Sequence, residues 1–136
     1  MRTFALLLGG AILASCATAP PPPTRDARAE AQYQQLVGGK VAQRPMSCLP
    51  NYNANDMVVI DGRTIAFRRG ARTTYIAHLS PGCELIASGT YALVSRQFGG
   101  GGTCRGDIQQ VLDTSSRTNA GSCTIAEIVP YVTPGQ

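Results

Sequence analysis

Four cysteines, Cys48, Cys83, Cys104 and Cys123, constrain the fold more than any other feature of this 136-residue chain. A fifth, Cys16, closes an apolar run from Phe4 to Ala14 that follows Arg2, so it belongs to an N-terminal leader. A leader that exports the chain puts the rest in an oxidising compartment. There, an even set of cysteines in a small domain reads as two disulfides. The rival reading, a metal site, has poor support, because no two cysteines stand at CxxC spacing and His78 is the only histidine. Four cysteines allow three pairings, and sequence alone does not choose among them. The expected pairing is Cys83–Cys104 and Cys48–Cys123, a short loop nested inside a long one. In the chain-entropy picture such loops contribute about 3 and about 4–5 kcal/mol, a large share of the stability of so small a domain.

Residues 1–15 have the parts of a signal peptide: one positive charge, an apolar core and small residues. The core is shorter than the roughly 20 apolar residues a permanent membrane span needs. Two cleavage readings compete. Ala17-Thr18-Ala19 fits an ordinary secretory site, but Pro20 would then be the new N-terminus, with its backbone fixed where a protease needs it flexible. Leu13-Ala14-Ser15-Cys16, in turn, resembles the bacterial lipoprotein box. That resemblance implies cleavage before Cys16, a diacylglyceryl group on its sulfur and an acylated amine. At about 0.8 kcal/mol per buried methylene, several acyl chains anchor a protein stably. Ala17 after the cysteine, where retained inner-membrane lipoproteins often carry Asp, implies the outer membrane, with the domain facing the periplasm. Residues 16–28 then form the lipidated N-terminus and a tether. Pro20-Pro21-Pro22-Pro23 favours extended polyproline II geometry and would stand the domain off the membrane.

Residues 29–44 read as a short helix and a linker, and 45–133 as a disulfide-stabilised β domain. Asp26 can cap a helix running from Ala27 to Leu36, and Gly38-Gly39 stops it. Its apolar stripe, Tyr33, Leu36 and Val37 with Ala29 behind, is thin, which predicts loose seating. Farther on, Met57–Ile60 and Thr64–Phe67 flank Asp61-Gly62, a pair that tolerates the positive φ angles of a type I′ hairpin turn. A second turn at residues 68–72 precedes a strand Thr73–Leu79, with Tyr75, Ala77 and Leu79 on one face and Ile76 and His78 on the other. Strands are also expected over Tyr91–Gln97, Ile108–Leu112 and Cys123–Val129, with Thr114–Ser122 as a loop. No connection is long enough for a βαβ crossover. The fold class is therefore mainly β: a small antiparallel barrel or sandwich with two disulfides, preceded by one short α-helix.

Cys48, Pro81-Gly82-Cys83, Arg96 with its following glycines, Cys104-Arg105-Gly106-Asp107, Gly121-Ser122-Cys123 and Ile128-Val129-Pro130-Tyr131 together resemble an uncharacterised family of small proteobacterial envelope lipoproteins. The resemblance covers about residues 45 to 131. It brings no activity, and it implies that the four cysteines are structural.

Charge excludes one class of partner. Past residue 15 there remain 11 Lys+Arg against 8 Asp+Glu, a mild +3, without the dense basic stripe and interleaved aromatics of a nucleic-acid binder. Candidate chemistry is sparse. Gly99–Gly102 lacks the Lys-Ser/Thr and the helix of a phosphate loop and reads as a connector. Arg105-Gly106-Asp107 spells an adhesion tripeptide, but a tight turn at Gly106 with Asp107 capping the backbone explains it better. His78 is the sole imidazole, and the cysteines that could partner it are expected to be oxidised. The carboxylates are scattered. Glu127 stands out between Ile125 and Val129, facing water or paired with Arg96. No catalytic residue, metal ligand or cofactor is assigned. Arg68, Arg69 and Arg72 cluster at one hairpin tip and are the candidate binding residues, toward anionic lipid, lipopolysaccharide phosphate or an acidic partner; a solvated turn is the simpler reading of the same residues.

The expected protein is thus a lipid-anchored, periplasm-facing envelope lipoprotein acting as a non-catalytic binding or structural module. Its candidate partners are the membrane itself, through Cys16, and another envelope protein or anionic lipid. The alternative is a periplasmic enzyme or enzyme inhibitor. Alkylation of the exported chain in denaturant without reductant should find no free thiol at Cys48, Cys83, Cys104 or Cys123; labelling at any of them would contradict the framework.

Overall fold

The computed structural model describes residues 25–51, 54–96 and 102–135. The leader, Cys16, the proline tether and Gly99–Gly101 lie outside the described residues. One helix, α1 (Ala27–Val37), precedes strands β1 (Val41–Ala42), β2 (Met57–Asp61), β3 (Thr64–Arg69), β4 (Thr73–Leu79), β5 (Tyr91–Arg96), β6 (Ile108–Asp113) and β7 (Asn119–Val132). Short 3₁₀ turns occupy Ala54–Asp56 and Glu84–Ser88. The strands run in the order β2-β3-β4-β7-β6-β5, all neighbours antiparallel, in one sheet that curls into a half-barrel. This bears out the mainly β class.

Strand β7 spans the whole arrangement. One of its edges pairs with β6 and then, farther along, with β1 at Val41↔Val132 and Ala42↔Tyr131. Between these, Gln43 donates to the carbonyl of Pro130 and Met46 to that of Ile128, so residues 41–46 continue as a paired ribbon rather than a free linker. The other edge pairs with β4 from Thr73↔Val132 to Leu79↔Ile125. A register shift between His78 and Leu79 leaves Ala126 as the extra residue. It turns Ile125 inward while Glu127 and Val129 face out, which breaks the simple alternation read from the sequence.

The inner face carries the larger core. Ile65, Phe67, Ala77, Leu79, Val111, Ile125 and Ile128 pack there with Leu49 and Ile86. Each such large apolar side chain contributes roughly 1.5–3 kcal/mol on burial. The outer face of β2, β3 and β4 is covered by α1, whose Ala29 and Val37 bury against Ile60, Ala66 and Ile76. Residues 64–67 of β3 are therefore buried on both faces. The turn Glu84–Ser88 drops Ile86 into the gap between β2 and β5, and it touches both edge strands.

The disulfides are Cys48–Cys104 and Cys83–Cys123. The nested pairing expected above is wrong, and the real links are interleaved. Chain proximity did not decide them; the sheet did. Cys83 follows the end of β4, where β4 and β7 part company, so it meets Cys123 on β7. Cys48 lies at the far end of the 41–48 ribbon and forms a bridge pair with Cys104. With separations of 56 and 40 residues, each link closes a loop worth about 4 kcal/mol of lost unfolded-state entropy.

Two glycine motifs beside these links now have a physical reason. A Cβ on Gly82 would lie 2.1 Å from the carbonyl oxygen of Ser122, and one on Gly121 would lie 2.5 Å from that of Gly82. Pro81-Gly82-Cys83 and Gly121-Ser122-Cys123 are thus two backbones in contact, stapled by the disulfide next to them. The Asp61-Gly62 hairpin works differently from expectation. Neither residue has positive φ, and the two-residue loop is Gly62-Arg63 between the paired Asp61 and Thr64. The Asp61 carboxylate accepts from the Arg63 amide at 2.8 Å, and Gly62 is small because the backbone of Glu84 passes 2.7 Å from where its Cβ would be.

Substitution should separate the two kinds of glycine. Gly82→Ala is expected to cost more than about 3 kcal/mol, since it combines a backbone clash with positive φ. Gly89→Ala, at φ 77° with open space around it, should cost only about 1–2 kcal/mol. Urea unfolding midpoints check the order; equal losses would refute the close-approach argument.

Candidate functional site

Two polar regions stand out, one at each end of α1. The first gathers around Arg25. Asp26 caps the helix by accepting from the Ala29 amide at 2.7 Å, as its position predicts. The residue before it reaches back over the sheet: Arg25 Nε donates to Asp61 at 3.0 Å, and its Nη1 lies 3.5 Å from Glu30. Its guanidinium carbon also sits 4.1 Å from the centre of the Tyr33 ring. Tyr33 packs edge-on against Tyr131, and the two hydroxyls share a hydrogen bond of 2.8 Å. Burial first, then the Tyr131 hydroxyl, push the Tyr33 phenol up to about 12. The helix with the thin apolar stripe is therefore held by a cation, a carboxylate and a phenol pair rather than lying loosely.

His78 lies on the outer face near this cluster, paired across the strands with Thr64 on one side and Glu127 on the other. Burial is the main cause that lowers its pKa, with Arg25 acting in the same direction and Glu127 and Asp61 opposing. Ser80, its nearest hydroxyl in sequence, is engaged elsewhere: Ser80 Oγ accepts from the Thr124 amide at 2.9 Å and lies 3.2 Å from its hydroxyl. The four framework cysteines are oxidised. Nothing beside His78 among the described residues is poised as a nucleophile. Glu127 is exposed opposite His78; the Arg96 side chain lies outside the described ones.

The adhesion-like tripeptide is consumed by the fold. Gly106 takes φ 86°, the Asp107 carboxylate accepts from the Cys104 amide at 2.7 Å, and Arg105 Nε donates to the Ala126 carbonyl at 3.1 Å. Among the described residues, no three His, Cys, Asp or Glu side chains gather as metal ligands would.

The second region is the opposite end. Arg68, Arg69 and Arg72 are all exposed at the β3–β4 hairpin, where Gly70 turns the chain at φ 63°. Among the described residues, no carboxylate lies within ion-pairing distance of them. Arg68 pairs across the strand with Thr74. The same threonine hydroxyl lies 3.1 Å from the Lys40 ammonium, which also caps the end of α1 through the Leu36 carbonyl at 2.6 Å. Lys40, Arg68 and the amides of Gln32 and Gln35 face one open hollow of about 480 Å³. Sequence reasoning found the arginines but missed Lys40, which is fifteen residues past Arg25 in a segment read as linker. No pattern in the sequence marks it.

What these features define is a small antiparallel β protein, braced by two interleaved disulfides and carrying one docked helix. The chain belongs to DUF6491, a family of unknown function, which it matches over residues 1–134. No curated protein and no solved structure matches it.

Acid should loosen the β4–β7 region through His78. Its folded pKa is lowered, so the unfolded chain binds the proton first. The stability this contributes is present above the unfolded value of 6.5 and is lost as pH falls through the folded value. His78→Gln should flatten the fall in melting temperature below pH 6.5 while leaving neutral stability within about 1 kcal/mol. An unchanged pH profile would count against the burial of this side chain.

Proposed function

We propose that the protein is a non-catalytic binding or structural module of the bacterial cell envelope, held at the outer membrane by a lipid on Cys16 and facing the periplasm. The observation that carries this reading is the pair of interleaved disulfides between Cys48 and Cys104 and between Cys83 and Cys123. Disulfides persist where the compartment is oxidising, and small exported domains use them in place of a larger core. They agree with an apolar leader that ends in a lipoprotein-like box. Membership of a family without an assigned activity leaves such a role open.

The polar groups support binding over catalysis. Arg25, Asp61, Tyr33 and Tyr131 satisfy one another in fastening the helix. Ser80, Glu84, Asp107 and Asp113 are engaged with backbone amides. Arg68, Arg69 and Arg72 at the hairpin end are left facing outward, available to a partner.

Cys16→Ala should release the protein from sedimented membranes; undiminished sedimentation would refute the anchor. Cross-linking in intact cells should capture an envelope component, and no capture from a fully exported chain would argue against a binding role.

A further inference from the structure

The arginine tip does not stand alone at its end of the sheet. Register places Arg69, Thr73, Val132 and Val41 in one row across β3, β4, β7 and β1. At the usual strand spacing that row is roughly 14 Å wide. Its first half is cationic: Arg69 stands in the row, Arg72 in the adjoining turn, and Arg68 beside Lys40 on the opposite face. Its second half is apolar, because Val41 is 53% exposed and, with Val132 and Pro134, lines an open hollow of about 420 Å³. Charge is segregated as well. Residues 36–46, 66–75 and 129–135, which supply this end, contain no Asp or Glu. The nearest acid in register is Asp56, just before Met57 opposite Phe67, and it makes no ion pair with the tip.

Cations next to exposed aliphatic side chains at one end of the sheet suit the boundary layer of a bilayer. Phosphates there meet the arginines, and the headgroup region accepts the valine and proline. An acidic protein surface would match the cations alone and leave Val41 and Pro134 without purpose. We propose that this end of the sheet is a second, non-covalent membrane contact, in which Arg68, Arg69 and Arg72 bind the phosphates of anionic phospholipids and Val41 and Pro134 enter the headgroup layer. The proposal rests on the lipid-anchored reading above. Eight residues, 17–24, separate the anchored Cys16 from Arg25, where the described chain begins. In extended form the span from Cys16 to Arg25 reaches about 28 Å, farther than the roughly 16 Å of α1, so the far end of the helix stays within range of the membrane. Tethering raises the effective concentration of the surface, so weak docking suffices.

The chain contains no tryptophan, which makes Val41→Trp a clean reporter in the lipidated full-length exported protein. On vesicles containing phosphatidylglycerol, its emission should shift to the blue and be quenched by brominated lipid. On phosphatidylcholine vesicles it should do neither. Adding Arg68/Arg69/Arg72→Ala should abolish the shift, with roughly a hundredfold weaker docking at about fivefold per cation. Equal emission on the two vesicle types, or a shift that survives the triple substitution, overturns the proposal. So does the same shift produced by inorganic phosphate alone, which would mark a site for a soluble anion. The anchor is judged separately, by flotation with phosphatidylcholine vesicles. Should flotation fail there, the docking surface is supported by Arg-dependent flotation with phosphatidylglycerol vesicles and overturned by its absence.

Discussion

Strand β7 is the constraint on which the rest of the structure depends. Its fourteen residues are shared among β6, β1 and β4, so it alone joins the β2-β3-β4 half of the sheet to the β6-β5 half. Near its start it carries Cys123, which ties the end of β4, and Gly121, which lets that crossing come close. Near its end it carries Tyr131, which meets Tyr33 of the docked helix. Ile125 and Ile128 fill the inner core, while the bulge at Ala126 sends Glu127 outward. A strand with this many neighbours has long-range partners on both edges. Its pairings with β4 and β1 close loops of many tens of residues, which makes this a topology of high contact order and slow assembly.

The parts of the fold that were legible in the sequence are the local ones. The β3–β4 hairpin and the capped helix follow from period, turn residues and Asp26, and their observed bounds agree with the reading to within a few residues. The first half of β7 was illegible because Asn119, Gly121 and Ser122 look like loop residues. They form strand because β6 supplies their hydrogen bonds, and because a side chain at 121 would collide with Gly82. The cysteine pairing failed for the same reason. Which sulfur lies beside which is a property of strand order, and strand order is not a local property.

The candidate site divides along similar lines. Three arginines within five residues declare themselves in any reading. Lys40 does not, since a lone lysine after two glycines has no pattern, and only the packing of α1 brings it to Thr74 beside Arg68. Val41 joins them through a two-strand pairing that spans two residues and has no periodic signal at all. Arg25 shows the converse case. It looks like the end of a tether, yet it is the residue that fastens the helix, through Asp61 and the face of Tyr33.

The interleaved links also divide the chain mechanically. Everything from Cys48 to Cys123 lies inside covalent loops that share the span between Cys83 and Cys104, so tension can lengthen that part by no more than the stretch from Cys104 to Cys123. Residues 25–47 lie outside both loops. A pull arriving from the N-terminal side loads Arg25–Asp61 first, then the α1 contact, then the 41–46 ribbon, and stops at Cys48. Over that stretch the protein is a strap with a fixed end: it can lengthen by shedding one helix and one ribbon while the stapled sheet behind it keeps its shape.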